Sequence, residues 1–261
     1  MAPSPLLSLP DSTLVTDLHP SPNIEPRKAG STPDLLLLHY TGMSSAHKAI
    51  DWLSRPESKV SAHYVIDVDG RITQLVAEDL RAWHAGVSSW SGETDINSLS
   101  IGIEIQNPGH ADGYATFGAR QMAAVAALSA DIVRRRRIKP VRVLAHSDVA
   151  PLRKIDPGEK FDWRWLKLRG VGHWVEPQPV DERDAGLAGG ASGPAVADMQ
   201  GMLRHYGYDC DGHGVLDPKT EAVVRAFQRH FRPARVDGRI DRSSRETLEH
   251  LIASERRVPA A

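Results

Sequence analysis

The stretch Leu35-Leu36-Leu37-Leu38-His39 indicates the fold class of this chain. Four consecutive apolar residues that end at a polar one are typical of a strand buried on both faces of a sheet. A second strand is predicted over residues 101–105, where three isoleucines alternate with Gly102 and Glu104. Because successive side chains of a strand point to opposite faces, this strand would have one apolar face and would carry Glu104 on the other.

The segments around these strands predict further strands. Residues 63–68 and 71–75 flank Asp69-Gly70, which is a strong two-residue signal for a β-hairpin. Residues 141–145 alternate between apolar and polar types and predict a short strand that ends directly before His146.

Two helices are predicted between these strands. Ser44 is expected to cap a helix that ends before Pro56. Its inner face would consist of Ala46, Ala49, Ile50 and Leu53. A longer helix is predicted over about 117–138, with an apolar face at helical spacing. That face would comprise Met122, Val125, Leu128 (or Ser129) and Ile132. Strands mixed with helices predict an α/β domain in which helices flank a mixed β-sheet.

The C-terminal third predicts a small all-α domain of three helices. The sequence first becomes rich in Pro, Gly, Ala and acidic residues over 176–193, which is typical of a linker. Helices are then expected at about 194–206, 218–231 and 242–254, two of them preceded by an Asp-Gly turn. Their inner faces would include Val196, Met199, Leu203, Val223, Val224, Phe227, Leu248 and Leu251. The linker predicts that the two domains have separate cores.

The composition is that of an ordinary globular protein. Lys plus Arg number 32 and Asp plus Glu 33, so no overall basic field indicates a nucleic-acid partner. The run Arg134–Arg137 is predicted to be a solvated helix end, where cations complement the helix dipole, and a binding patch is the alternative. Cys210 is the single cysteine, which excludes an intrachain disulfide and a cysteine-based zinc cluster.

The N-terminal residues carry no recognisable targeting segment. Residues 1–10 lack both the charged start and the long apolar core of a secretory signal. No run of about 18 apolar residues occurs in the chain, so no membrane span is expected. The chain as given is therefore expected to be cytoplasmic, and a periplasmic location would follow if its true start lay upstream.

Two histidines and one aspartate predict a metal site. His39 and His146 both lie where an apolar strand is expected to end, and Asp156 lies in a Pro- and Gly-containing loop ten residues after His146. Two imidazoles and one carboxylate form a three-ligand zinc site that leaves a fourth position for water. The separations match no short local zinc motif, so the spacing alone is moderate support.

Six motifs, in a fixed order over about residues 20–166, resemble those of a known family. They are Ser21-Pro22-Asn23 with Arg27, Leu37–Thr41, Val60–Tyr64, Ala82–Gly86 with Ser88 and Trp90, Asn97–Glu104, and Ala145–Pro151 leading to Arg153–Gly158. In these motifs the chain resembles the zinc-dependent N-acetylmuramoyl-L-alanine amidases of the second type. This family is related to phage lysozyme-type amidases and to peptidoglycan recognition proteins.

The resemblance implies the type 2 amidase fold and one Zn²⁺ per chain. It makes His39, His146 and Asp156 the zinc ligands, Glu104 the general base and Lys154 a second catalytic group. A carboxylate can take a proton from water and return it to the leaving amine, and an ammonium can stabilise the oxyanion. The residues implied to bind substrate are Asn23, Tyr40, His63, Trp83 and His84.

Alternatives remain open for several of these residues. Asp148 is a rival third ligand, although a structural hydrogen-bonding role is favoured for it. His63 and His84 are alternatives as further ligands, although a place in the substrate groove is favoured. Trp83 either packs in the core or forms a wall of the site.

The C-terminal helices resemble the three-helix peptidoglycan-binding module that accompanies many wall hydrolases. The signature runs from Tyr206-Gly207-Tyr208 through Thr220–Val223 and Ala226–Gln228 to Val236-Asp237-Gly238. The predicted organisation is an extended leader over 1–33, a zinc amidase domain over 20–175, a linker over 176–193 and the binding domain over 194–256. A packing domain without binding of its own is the alternative.

The predicted function is hydrolysis of the amide bond between N-acetylmuramic acid and L-alanine, in cell-wall turnover or recycling. The expected partners are peptidoglycan or muropeptide fragments, including anhydro-muropeptides, with no obligate protein partner. A protein that binds muropeptides without cutting them is the first alternative, and its non-catalytic relatives are expected to lose a zinc ligand. A zinc peptidase that cuts the stem peptide is the second.

Overall fold

A mixed six-stranded β-sheet forms the centre of the first part of the chain. The computed structural model describes residues 7–255, so the first six residues of the predicted leader and residue 256 lie outside the described residues. The strands are β1 (Asp17–Leu18), β2 (Ile24–Pro26), β3 (Leu35–Tyr40), β4 (Tyr64–Ile66), β5 (Ile72–Gln74), β6 (Leu80–Ala82), β7 (Ser100–Ile105) and β8 (Val143–Ala145). The order in the sheet is β1-β5-β4-β7-β3-β8, and β2 and β6 form a separate antiparallel pair.

The direction of the strands confirms the predicted mixed sheet. β3 and β4 both run parallel to β7, whereas β4 and β5 are antiparallel, as the Asp69-Gly70 turn requires. Leu35, Leu36, Leu37 and Leu38 are all fully buried, and β3 lies inside the sheet with a strand on each side. The stretch Leu35–His39 therefore forms the buried strand that its sequence predicts.

Helices pack on this sheet and also form the C-terminal third. They are α1 (Ala46–Leu53), α2 (Ile96–Leu99), α3 (Ala119–Arg136), α4 (His146–Val149), α5 (Trp163–Lys167), α6 (Pro194–Tyr206), α7 (Pro218–Phe231) and α8 (Arg242–Glu255). α3 packs against β3 and β4 through the face that its periodicity predicts. All eight apolar residues predicted to form the core of the three C-terminal helices are fully buried.

Two local predictions need correction. Ser45, not Ser44, caps α1, because its hydroxyl accepts a hydrogen bond from the Lys48 amide. Residues 140–142 form a 3₁₀ turn, so the strand begins at Val143. His146 directly follows that strand, as predicted, and starts a short helix.

Two arginines of the basic run at the end of α3 form ion pairs that were not predicted. α3 ends at Arg136, as expected for cations at a helix C-terminus, but the guanidinium groups of Arg135 and Arg136 are not simply solvated. Both form ion pairs with the buried carboxylate of Glu78. The prediction of a solvated helix end is therefore wrong for these two residues.

Contacts divide the described chain into two compact units. The first contains the described residues up to Gly86, Asp95–Leu144 and Arg169–Val171. The second contains Val87–Thr94, Ala145–Leu168 and the described residues from Gly172 onward. Within residues 7–255, no helix combines the length and the apolar character needed to cross a bilayer.

Candidate metal centre and active site

Two neighbouring strands carry His39 and Glu104 at matching positions. Each is the penultimate residue of its strand, β3 or β7, and the two are paired in the parallel register. Paired residues of adjacent strands project their side chains to the same face of a sheet. The imidazole of His39 is buried and the carboxylate of Glu104 is half-buried. The sheet therefore presents an imidazole and a carboxylate side by side.

His84 contacts the ring of His39. Its Nδ1 lies 3.0 Å from Nε2 of His39, and its Nε2 lies 3.2 Å from the hydroxyl of Ser100. The side-chain oxygen of Asn97 accepts a hydrogen bond from the His84 amide. A Cβ atom at Gly102 would lie 2.5 Å from the His84 ring, so glycine is required there by close approach. These contacts orient His39 in the way that outer partners orient metal ligands.

His63 is buried inside the fold and hydrogen-bonded at both ring nitrogens. It is fully buried, the amide of Gly102 donates to its Nδ1 at 3.0 Å, and its Nε2 lies 3.1 Å from the carbonyl of Leu80. Burial and the neighbouring Arg27 guanidinium lower the pKa of His63 to about 3. The ring is therefore neutral near pH 7. Contact of His63 with a substrate stays a prediction.

His146 and Asp156 lie together in the second compact unit. Nδ1 of His146 lies 3.0 Å from Oδ2 of Asp156, and the amide of Ser147 donates to the Asp156 carbonyl at 3.0 Å. Both side chains are buried. The loop after α4 therefore folds back so that its carboxylate meets the first residue of that helix.

Asp148 uses its carboxylate for hydrogen bonds within the fold. Its Oδ2 accepts from the Ala145 amide at 2.8 Å and lies 2.6 Å from Nδ1 of His230. Its Oδ1 accepts from the Tyr208 hydroxyl at 2.7 Å. This arrangement agrees with the structural role favoured for Asp148 over that of a third ligand.

One group of described side chains that could hold a metal ion consists of His39, His146 and Asp156. His39, His146 and Asp156 each offer one ligand atom, and these atoms all lie within 4.8 Å of one another. Two imidazoles and a carboxylate are a donor set typical of catalytic zinc. The donor set therefore fits zinc.

The remaining predicted residues have mixed surroundings. Asn23 is buried, and its amide nitrogen donates to the carbonyls of Arg55 and Val60. The Tyr40 hydroxyl lies 3.1 Å from Nδ1 of His110, whereas Trp83 and Lys154 are half-buried. Substrate contact by Asn23, Tyr40, Trp83 or His84 stays a prediction.

Sequence reasoning did not identify two residues that contact Asp148. Tyr208 lies in the Tyr-Gly-Tyr motif that was attributed to the C-terminal module, and His230 lies in α7. They are 60 and 82 residues from Asp148 along the chain, so no local pattern connects them. Only the Tyr-Gly-Tyr motif gave a signal, and it indicated a different role.

Comparison with known proteins shows the family to which this chain belongs. Residues 29–159 match the N-acetylmuramoyl-L-alanine amidase family, and residues 192–249 match a peptidoglycan binding domain. The N-acetylmuramoyl-L-alanine amidase AmiD of Escherichia coli (strain K12) is 37% identical over 233 residues, which cover 84% of this chain and 82% of that protein. The 1,6-anhydro-N-acetylmuramyl-L-alanine amidase AmpD of Citrobacter freundii is 35% identical and covers 55% of this chain and 84% of its own length.

Solved structures give the same result for the fold. E. coli AmiD in complex with anhydro-N-acetylmuramic acid-L-Ala-D-gamma-Glu-L-Lys has a TM-score of 0.71 at 34% identity, covering 87% of this chain and 92% of that one. AmpDh3 from Pseudomonas aeruginosa in complex with anhydromuramic pentapeptide has a TM-score of 0.74 at 32% identity, with 87% and 95% covered. The resemblance seen in the sequence is confirmed, and this chain belongs to the N-acetylmuramoyl-L-alanine amidase family.

Proposed function

We propose that this chain hydrolyses the amide bond between N-acetylmuramic acid and L-alanine at a zinc centre formed by His39, His146 and Asp156. The observation that carries the proposal is the buried group of two imidazoles and one carboxylate, whose ligand atoms lie within 4.8 Å of one another. Zinc bound there would supply Lewis acidity, which makes water nucleophilic near neutral pH. The remaining steps are assigned to side chains of the chain itself.

Glu104 is proposed as the general base. Glu104 on β7 is paired with His39 on β3, so its side chain projects from the sheet next to a candidate ligand. In this role it takes a proton from the attacking water and returns it to the departing amine of L-alanine. A carboxylate suits both transfers because it is ionised near neutral pH in its ordinary state.

Lys154 is proposed to stabilise the negative charge that develops on the amide oxygen. It precedes Asp156 by two residues, and its amide donates to the Ala150 carbonyl at 3.0 Å, which anchors its backbone to the end of α4. An ammonium held near the reacting carbonyl lowers the energy of the tetrahedral state more than that of the planar amide.

The decisive experiment is a comparison of Glu104→Ala with Asp156→Ala. Glu104→Ala should keep bound zinc and lower the turnover rate about 10²–10⁴-fold, because a base is removed and no ligand is lost. Asp156→Ala should lose both zinc and activity, since two ligands hold the metal weakly. Zinc is measured by elemental analysis, and near-normal turnover by Glu104→Ala would refute the assignment of the base.

The substrate class proposed for this chain is peptidoglycan and its anhydro-muropeptide fragments. The support is that solved relatives are described with anhydromuramic peptides bound. Mass spectrometry of the products from sacculi and from a defined anhydro-muropeptide would test the proposal. A free peptide beginning with L-alanine is expected, whereas cleavage inside the stem peptide would indicate a peptidase.

A wall-binding role is proposed for the C-terminal helices, because residues 192–249 match a peptidoglycan binding domain. The intact Glu104→Ala variant should sediment with purified sacculi, since it retains this region and degrades them much more slowly than the wild type does. A variant that stays in the supernatant would contradict the role. Wild-type protein that sediments but releases no peptide would instead support the non-catalytic alternative.

The location is tested separately. A reporter that is active only outside the inner membrane, joined after Ala261, should stay silent if the protein is cytoplasmic. An active reporter would place the enzyme in the periplasm.

A further inference from the structure

Asp148 connects the candidate ligand segment to the C-terminal helices. Its side chain is fully buried, and its two oxygens receive three donors, one from the Ala145 backbone and two from side chains far along the chain. Those two are the Tyr208 hydroxyl at 2.7 Å and Nδ1 of His230 at 2.6 Å. A buried carboxylate is costly unless its lone pairs are satisfied, so these donors are required for Asp148 to lie where it does.

Both distant donors are held rigidly. Tyr208 is 1% exposed and its ring packs edge-on against Trp90, with ring centroids 4.9 Å apart. Burial and the Asp148 carboxylate raise the pKa of Tyr208 well above its ordinary value, so the phenol stays protonated and donates. The ring of His230 stacks on Trp163 with centroids 3.7 Å apart. Replacement of either donor by water would therefore require local rearrangement of the packing.

Asp148 in turn fixes the backbone around the first ligand of this segment. α4 has only four residues and starts at His146, and a helix this short has little stability of its own. The Asp148 carboxylate caps its start by accepting from the amide of Ala145, the residue before His146. The next amide, that of Ser147, donates to the Asp156 carbonyl. The positions of both candidate ligands, His146 and Asp156, thus depend on the backbone turn at the start of α4, which the Asp148 carboxylate caps.

We propose that Tyr208 and His230 are positioning residues for the metal centre, acting through Asp148 on His146 and Asp156. The proposal rests on the proposed role of His146 and Asp156 as ligands. It gives the C-terminal helices a second task besides wall binding, which is to brace the ligand segment. Outer hydrogen-bond partners of metal ligands act in this way, and their removal costs about 10–100-fold in metal affinity.

The test compares two tyrosine variants of the full chain. Tyr208→Phe removes one hydroxyl from Asp148, whereas Tyr206→Phe removes one from His173, whose Nδ1 lies 2.7 Å from it. Both tyrosines are buried in the same compact unit, two residues apart. Loss of a buried hydrogen bond should lower the thermal midpoint of both variants. Only an effect on the metal centre distinguishes bracing from ordinary packing.

Three readouts report on the ligand segment and the metal centre. The zinc dissociation constant, from competition with a chelator, should rise about 10-fold in Tyr208→Phe and stay at the wild-type value in Tyr206→Phe. In metal-free protein, hydrogen exchange at the Ala145 amide should be faster in Tyr208→Phe alone, because its acceptor is no longer fixed. The visible spectrum of the cobalt-substituted protein should change in Tyr208→Phe and not in Tyr206→Phe.

A second pair of variants covers the case in which Tyr208→Phe does not fold. His230→Asn retains a side-chain N–H near the position of Nδ1, whereas His230→Phe keeps a ring without a donor. Zinc affinity close to the wild type in His230→Asn and weakened in His230→Phe is the expected result.

The possible results separate this proposal from the proposed function. Wild-type protein that binds no zinc would refute both. Wild-type protein that binds zinc, with the same affinity and exchange rate in the two tyrosine variants, would overturn the bracing role alone. Weaker zinc binding by Tyr208→Phe only, with faster exchange at Ala145, supports it.

Discussion

Glu78 and Asp148 are two fully buried carboxylates that accept a tyrosine hydroxyl at the same distance. Tyr64 donates to Glu78 and Tyr208 donates to Asp148, each at 2.7 Å. The first lies in the compact unit that contains most of the sheet, and the second lies in the unit that contains the C-terminal helices. Their remaining partners differ, and the difference indicates what each carboxylate does.

Glu78 is neutralised by cations. Arg135 contacts both of its oxygens at 2.7 Å, and Arg136 donates to one of them at 2.7 Å. Burial alone would raise the pKa of Glu78, but the hydrogen bonds from Arg135, Tyr64 and Arg136 bring it below its ordinary value. This carboxylate therefore joins the end of α3 to the loop after β5 and serves stability.

Asp148 is held by directional donors. Within residues 7–255 it forms no ion pair with Lys or Arg, and its side-chain partners are a hydroxyl and an imidazole. Such partners fix orientation, which suits a residue two positions from a candidate ligand. Equal burial and an identical tyrosine contact therefore accompany two different tasks, one of stability and one of geometry.

The largest expected effect on the free energy of unfolding is that of Glu78→Ala. Removing this carboxylate leaves the half-buried guanidinium groups of Arg135 and Arg136 without their common partner. Breaking a buried pair in this way should lower the free energy of unfolding by about 3–5 kcal/mol, measured by urea denaturation. The exposed pair of Asp51 with Arg55 supplies the control, and Asp51→Ala should cost at most about 1 kcal/mol. Equal losses in the two variants would contradict the importance given to burial.

A smaller effect is expected from pH, through one buried histidine in each unit. Burial, with Arg27, lowers the pKa of His63 to about 3, and burial lowers that of His173 to about 4, from 6.5. Between each lowered pKa and 6.5, the unfolded chain binds more protons than the folded one, so the free energy of unfolding decreases as the pH falls. From pH 7 to pH 5 each histidine should remove about 2 kcal/mol.

Urea denaturation of the metal-free protein at both pH values measures this loss, and the absence of metal prevents ligand protonation from contributing through zinc release. His63→Gln should show the smaller decrease, because glutamine supplies a donor and an acceptor and does not titrate. An unchanged decrease in this variant would show that His63 is not responsible.

The smallest effect on stability is expected from Tyr64→Phe. Loss of the hydroxyl bond to Glu78 should cost about 1–2 kcal/mol, since two arginines still satisfy the carboxylate. Zinc affinity should remain at the wild-type value, in contrast to Tyr208→Phe. A zinc dissociation constant that rises equally in both variants would remove the distinction between the two carboxylates.

The sequence predicted the regular elements because their signals are local. The run Leu35–Leu38, the Asp69-Gly70 turn and the helical spacing of α3 each specify a structure within a few residues. Errors occurred where a choice between adjacent residues depends on backbone geometry, as at Ser44 and Ser45. The candidate ligands were predicted from two expected strand ends and a loop, and the motif resemblance strengthened this prediction, since the 107 residues between His39 and His146 match no local zinc motif.

The partners of Glu78 and Asp148 were beyond local reasoning. A run of arginines has the same pattern whether it is solvated or surrounds a carboxylate 57 residues earlier. The linker over 176–193 indicated separate cores, and these domain bounds stay a prediction. Trp163, however, lies before the linker and stacks on His230 behind it. A loss of periodicity shows where regular structure stops, but not which side chains meet across the gap.

The position of the Asp148 donors along the chain also sets an order of events during synthesis. Tyr208 and His230 are made 60 and 82 residues after Asp148. At typical elongation rates of about 5–20 residues per second, the ribosome needs roughly 3–16 seconds to supply them. The strands that carry His39 and Glu104 are complete before that time. The residues of the sheet are therefore synthesised first, and the turn at His146 can form its contacts with Tyr208 and His230 only after those two residues have been made.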